Sequence, residues 1–270
     1  MGNEPGTVDP NQLVRARAQA HQACQWASKA ARANLVARPD DSHSNFGWLP
    51  DLGALVTEFL DPDQGLQAGF SFAAGALLWL RHGQVDASLA IAGREDRELG
   101  IWLDEHLARA SLSLTHDAHM PYALEAQVPY EPCPDEMQSL GQWFNVGFAA
   151  LSSVRNEFLN AVFDAAQPRC WPHHFDVGML LLLEDADPET ARSVGLGLSP
   201  GDASFAQPYY YCNPWPVPAA DTLGQAPAGF RWHTQGFTSL IALASDLDVE
   251  SPHAELLRAP VARCMELLSK

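Results

Sequence analysis

From Asp135 to Ala166 an apolar residue returns every three or four places: Met137, Leu140, Phe144, Phe148, Leu151, Val154, Phe158, Val162 and Ala165. That spacing fits a helix, and Pro134 and Pro168 bracket the run. A helix of this length with one apolar stripe must bury it against another layer. The rest of the sequence supplies sheets for that purpose, so the helix is expected to lie across one.

Strand signals lie on both sides of the helix. Leu52–Leu60 reads as a short extended segment, and Asp61-Pro62-Asp63-Gln64-Gly65 as a turn in which Pro sets φ and Gly permits a positive one. Leu66–Arg81 then reads as one long strand, His82-Gly83 as a turn and Gln84–Ala92 as the return. After the helix, strands are expected over Arg169–Leu183, Ser193–Leu198 and Pro208–Asn213, with a turn at Ser199-Pro200-Gly201-Asp202. Arg231–Ala244 fits strand and helix equally.

Three further helices are expected. The first is capped by Asp9-Pro10, shows an alanine-rich stripe to Asn34 and stops before Pro39. The second covers Glu95–Ala110. The last opens at Ser251-Pro252 and is kinked or split by Pro260. The fold class is therefore α+β, with antiparallel sheets flanked by helices. The order helix, three strands, helix occurs twice, which suggests a duplicated α-β-β-β-α unit. On that reading residues 1–115 and 116–270 are two halves joined by the proline-rich stretch 111–134; the alternative is one continuous domain.

Composition narrows the functional classes. Net charge is −17 over 270 residues, which argues against nucleic acid and anionic membrane surfaces as partners. The longest apolar run, Gly69–Leu80, is too short to span a bilayer. Met1–Pro10 has no basic residue and no apolar core, so no secretory leader is expected there. The five cysteines, Cys24, Cys133, Cys170, Cys212 and Cys264, are scattered and never form a C-x-x-C pair. That usage favours a reducing compartment, and a cytoplasmic location is the expectation.

Two stretches carry candidate chemistry. In Arg169-Cys170-Trp171-Pro172-His173-His174-Phe175-Asp176, a strand conformation would point His174 and Asp176 to the same side. That arrangement suits two ligands of a divalent metal, or a base with its orienting carboxylate, with His233 as third ligand and Asp202 in support. In Gln207-Pro208-Tyr209-Tyr210-Tyr211-Cys212-Asn213-Pro214-Trp215-Pro216, alternation places Tyr209 and Tyr211 on one face and Tyr210 on the other. Such aromatic walls suit a small-molecule pocket, with Tyr210 and Trp215 as candidate lining residues. They suit a packed sheet edge equally well.

Other patterns lead away from chemistry. Gly197-Leu198-Ser199-Pro200-Gly201 matches the hydrolase pattern G-x-S-x-G. The residue after its serine is Pro200, which has no N–H to stabilise an oxyanion, so Ser199 is not expected to be a nucleophile. His116 and His119 sit in the linker as a solvated pair.

The motifs Trp171-Pro172-His173-His174-Phe175-Asp176, Leu198-Ser199-Pro200-Gly201-Asp202, Pro208-Tyr209-Tyr210-Tyr211, Asn213-Pro214-Trp215-Pro216 and Trp232-His233-Thr234 resemble a family of uncharacterised bacterial proteins that share a domain of unknown function. The resemblance covers about residues 169–245. It implies a bacterial protein and assigns no catalytic residue. Three functions follow as expectations, in this order. The first is a small-molecule-binding protein using His174, Asp176, Asp202, Tyr210, Trp215 and His233. The second is a metal-dependent hydrolase using His174, Asp176 and His233. The third is a non-catalytic interaction protein. Whether the chain is an enzyme, and its oligomeric state, stay open at this point.

Overall fold

The computed structural model describes residues 8–114, 129–188, 190–247 and 253–269. It is an α+β protein with antiparallel sheets and helices, as the sequence pattern predicts. The chain divides into two compact units. One holds the described residues up to Gln142 together with Cys170–Phe175; the other holds Trp143–Arg169 and the described residues from Asp176 onward. The linker histidines His116 and His119 and the cap Ser251-Pro252 lie outside the described residues.

In the N-terminal unit, Asp9 accepts a hydrogen bond from the Asn11 N–H at 2.9 Å and starts a 3-10 turn that leads into α1, Val14–Asn34. The buried stripe of α1 is Ala16, Ala20, Ala23, Ala27 and Ala30. Small side chains let this helix come close to the sheet beneath it. That sheet is a meander of β1 (Gly47–Leu49), β2 (Ala54–Val56), β3 (Leu66–Ser71), β4 (Ala76–Arg81) and β5 (Gln84–Ala90) in sequence order, antiparallel throughout. The run expected as one strand over Leu66–Arg81 is thus a hairpin. Gly75, at φ +55°, makes the turn, and the Ser71 hydroxyl accepts from the Ala74 N–H. Helix α2, Asp96–Arg109, begins with a reciprocal cap between Glu95 and Glu98. Its buried Asp96 accepts from Trp26 Nε1 at 2.9 Å and from the Tyr130 hydroxyl at 2.6 Å.

Helix α3 runs over Pro134–Phe158, shorter than its stripe suggested. Beyond it the apolar residues belong to a strand, β6 (Asp164–Ala165), and Arg155 Nε donates to the Ala165 carbonyl to hold the reversal. Strands β7 (Arg169–Trp171), β8 (Asp176–Leu182), β9 (Ser193–Ser199), β10 (Tyr209–Trp215), β11 (Arg231–His233) and β12 (Ser239–Leu243) follow, then α4 (His253–Leu268). Arg231–Ala244 is therefore a strand pair, not a helix. Helix α4 continues through the buried Pro260, which neither ends nor splits it. The sheet of the C-terminal unit runs β11-β12-β10-β9-β8-β6, antiparallel at each step. Each unit has more strands than the three-stranded repeat read from element order. Among the described residues no helix is long and apolar enough to cross a membrane.

Candidate functional site

The two faces of the C-terminal sheet differ in chemistry. Directly paired residues of an antiparallel sheet share a face, so the register assigns each side chain. Val177, Leu181, Leu196, Leu198, Tyr210, Cys212, Leu240 and Ala242 point to one side and are buried. Helices α3 and α4 cover them: a side chain at Gly147 would collide with Leu198, and Cys264 Sγ lies 3.5 Å from Cys212 Sγ. The opposite face has a row in which Gly178, Gly197, Tyr211, Ile241 and Arg231 are successive partners. Beside it lie Leu180, Gly195 and Asn213. The glycines carry no side chain on that side, and the buried Tyr209 and half-buried Tyr211 belong to it.

Tyr211 crosses one of these gaps. Its hydroxyl donates to Asp176 Oδ2 at 2.5 Å, although Asp176 lies two strands away. The ring lies over Gly197, where an added Cβ would overlap the phenol oxygen and the ring carbon that bears it. Tyr209 makes a second bond of the same kind, donating to Asp202 Oδ2 at 2.6 Å. Asp202 Oδ1 meanwhile accepts from the N–H groups of Ser204 and Phe205, so the turn after Gly201 is wound around its carboxylate. Burial, then the bond to Asp202, and also the charge of Asp176 push the Tyr209 phenol well above its ordinary pKa. The Tyr209 phenol is therefore a donor at neutral pH.

Aromatic rings continue the row. Tyr211 and Tyr209 are 6.4 Å apart between centroids, Tyr209 and Phe205 5.0 Å, Phe205 and His233 5.4 Å, and His233 and Phe237 4.4 Å. The Arg231 guanidinium sits 5.9 Å over Phe205 while paired with Asp246 at 2.9 Å. His233 Nε2 faces the Gln235 carbonyl at 2.7 Å and so carries the hydrogen.

The residues picked from sequence divide accordingly. Asp176, Asp202 and His233 belong to the C-terminal unit, and each touches this aromatic row or a tyrosine in it. Trp215, at the end of β10, is 47% exposed. His174 does not share a strand face with Asp176, contrary to the expectation of a continuous strand. Pro172–Phe175 is a turn, with Phe175 at φ +57°, and His174 is an exposed turn residue counted with the N-terminal unit. Tyr210 is also corrected: it lies fully buried on the helix-covered face and its hydroxyl meets His253 Nδ1 at 2.8 Å. Among the described residues no three His, Cys, Asp or Glu side chains are grouped to hold a metal ion, so the set His174, Asp176 and His233 gains no geometry as a divalent-metal site. Ser199 is buried and followed by a turn and β10, not by a helix.

Sequence reading missed Phe205 and undervalued Tyr209 and Tyr211. The signal for the tyrosines was present in their alternation with Tyr210. For Phe205 there was none, because it lies in an irregular turn whose course is set by Asp202.

The turn at Pro172–Phe175 is built into the N-terminal unit. Phe46 and Cys170 exchange backbone hydrogen bonds of 2.9 Å each. His21 Nε2 and Gln25 Nε2 both reach the Pro172 carbonyl, at 2.7 and 2.8 Å. The Phe175 ring stacks on His21 at 4.8 Å. Burial, then the neighbouring His174, pushes the His173 pKa down from its ordinary 6.5 to about 4.

No family model, curated protein or solved structure matches the chain.

Proposed function

We propose that the C-terminal unit binds a small molecule on the tyrosine face of its sheet. The observation that carries this reading is the row from Tyr211 through Tyr209, Phe205 and His233 to Phe237, in which two phenols are fixed by carboxylates. Phenols held in this way present their ring faces in one orientation and lose little freedom when a ligand arrives. Beside the row, next to the half-buried Gly195, Asn213 Oδ1 is buried without a hydrogen-bond partner. Flat walls with a few polar groups are what small-molecule sites use.

The test is NMR of the full chain with labelled tyrosine rings against neutral, anionic and cationic fragments. Shifts at Tyr209 and Tyr211 are expected, with Tyr210 silent on the opposite face. Silence at Tyr209 and Tyr211 throughout the set would defeat the reading. We also read the five buried, scattered cysteines as those of a bacterial cytoplasmic protein, and the charge of −17 as that of a protein with no nucleic-acid partner.

A further inference from the structure

We infer that the ligand of the tyrosine face is a small organic cation, an ammonium or guanidinium group on a compact apolar body. This rests on the binding reading above and narrows it. Three observations on the same face point that way.

First, the rings form a continuous run with centroid separations of 4.4 to 6.4 Å. These rings meet tilted or edge-to-face, and an aromatic ring face carries negative quadrupole, which attracts a cation and gives a neutral group nothing beyond contact. Second, the run already holds a cation at its middle ring. Arg231 lies over Phe205 while its charge is met by Asp246. A guanidinium in that position shows that the row takes positive charge on its faces. Third, the polar groups among the rings are acidic. Asp176 and Asp202 both accept hydrogens from tyrosines of the row, and Arg231, which lies over Phe205, is paired with Asp246. An anionic ligand would meet two carboxylates and gain no free donor of positive charge. The chain's net charge of −17 adds to the same preference at longer range.

Geometry specifies the group further. A carboxylate engaged by a phenol offers less to a bare metal ion than an open one, and no metal-type grouping exists among the described residues. A cation with a soft, weakly hydrated surface gains most from ring faces with carboxylates behind them. Alkylated ammonium and guanidinium groups have that character.

The experiment uses choline, its neutral isostere 3,3-dimethylbutan-1-ol, and benzoate, each titrated into the full chain with labelled tyrosine rings. Choline is expected to shift Tyr209 and Tyr211 with affinity about tenfold above the neutral isostere. Benzoate is expected to leave both rings unmoved. Asp176→Asn is expected to weaken choline several-fold more than it weakens the alcohol. Because Asp176 is buried, that variant can be lost to misfolding. Phe205→Leu is therefore measured alongside it, removing one ring and neither carboxylate, and a several-fold loss of choline is expected there too. Equal binding of choline and the alcohol, or stronger binding of benzoate, overturns the cation inference and leaves the binding reading intact. If none of the three moves Tyr209 or Tyr211, and the broader fragment set also fails, both fall together.

Discussion

The Tyr211 hydroxyl donates to Asp176 at 2.5 Å across β9, and it does so over Gly197. Three consecutive strands thus take part in one hydrogen bond: β10 supplies the donor, β8 the acceptor and β9 the clearance. The relationship makes the bond and the glycine a single device, and the first two predictions follow from it.

Replacing Tyr211 with Phe removes the donor to a buried carboxylate. Hydrogen bonds to charged groups contribute about 1.5–3 kcal/mol, so Tyr211→Phe is expected to lower unfolding free energy by an amount in that range. Urea titration measures it. A loss below the scatter of the titration would show that the bond contributes nothing to stability.

At Gly197 an alanine would force the phenol off its path and also press on the Val177 carbonyl. Overpacking of this kind costs about 1–3 kcal/mol. Gly195→Ala, two residues along the same strand, meets nothing closer than 3.9 Å and is expected to be near neutral. Thermal denaturation of the two variants side by side tests the contrast, and equal losses would contradict it.

Tyr210→Phe strips the partner from His253 Nδ1 inside the helix-covered core. An unsatisfied buried polar group costs about 1–3 kcal/mol. The same variant is expected to leave ligand shifts at Tyr209 and Tyr211 unchanged, because Tyr210 points the other way. A change in those shifts would place Tyr210 in the site after all.

The N-terminal unit is expected to lose stability in acid through His173. Its folded pKa of about 4 lies below the ordinary 6.5, so the unfolded chain binds the proton more readily. Stability from this residue is complete above pH 6.5 and falls as the pH drops toward 4, below which no further loss comes from it. His21 and His43, both depressed chiefly by burial, act with the same sign. Denaturant midpoints at pH 7, 5.5 and 4 should decline, and His173→Gln should flatten the decline. An unaltered slope in that variant would assign the effect elsewhere.

Much of the fold was legible because its elements are punctuated. Asp9-Pro10, Glu95 and Pro134 mark helix starts, and the stripe of α3 could belong to nothing else. Breaks without glycine or with a weak signal were lost. Phe175 adopts a left-handed conformation that sequence rules reserve for Gly or Asn, so the turn at Pro172–Phe175 was read as strand and His174 was assigned a face it does not have. The end of α3 was overestimated because Val162 and Ala165 continue its period, while the chain uses them in and beside a strand. Parity along β10 put Tyr209 and Tyr211 on one face and Tyr210 on the other, but the tyrosine chosen from the sequence was Tyr210, on the helix-covered face. What parity could not supply was the depth of the row, since Phe205 and Asp202 are brought there by a turn whose shape depends on one carboxylate.

The short passage Cys170–Phe175 completes the N-terminal unit from far along the chain. Its bridge to Phe46, its carbonyl shared by His21 and Gln25, and its ring on His21 are all contacts that unit needs. During vectorial synthesis the first unit therefore cannot close when Gln142 emerges. It waits until α3, β6 and β7 have been made and Phe175 is free of the ribosome. Domains usually fold in order as they appear. Here the order of completion is set by the six residues of the interleaved passage, and any truncation ahead of them leaves the earlier unit with an open seam.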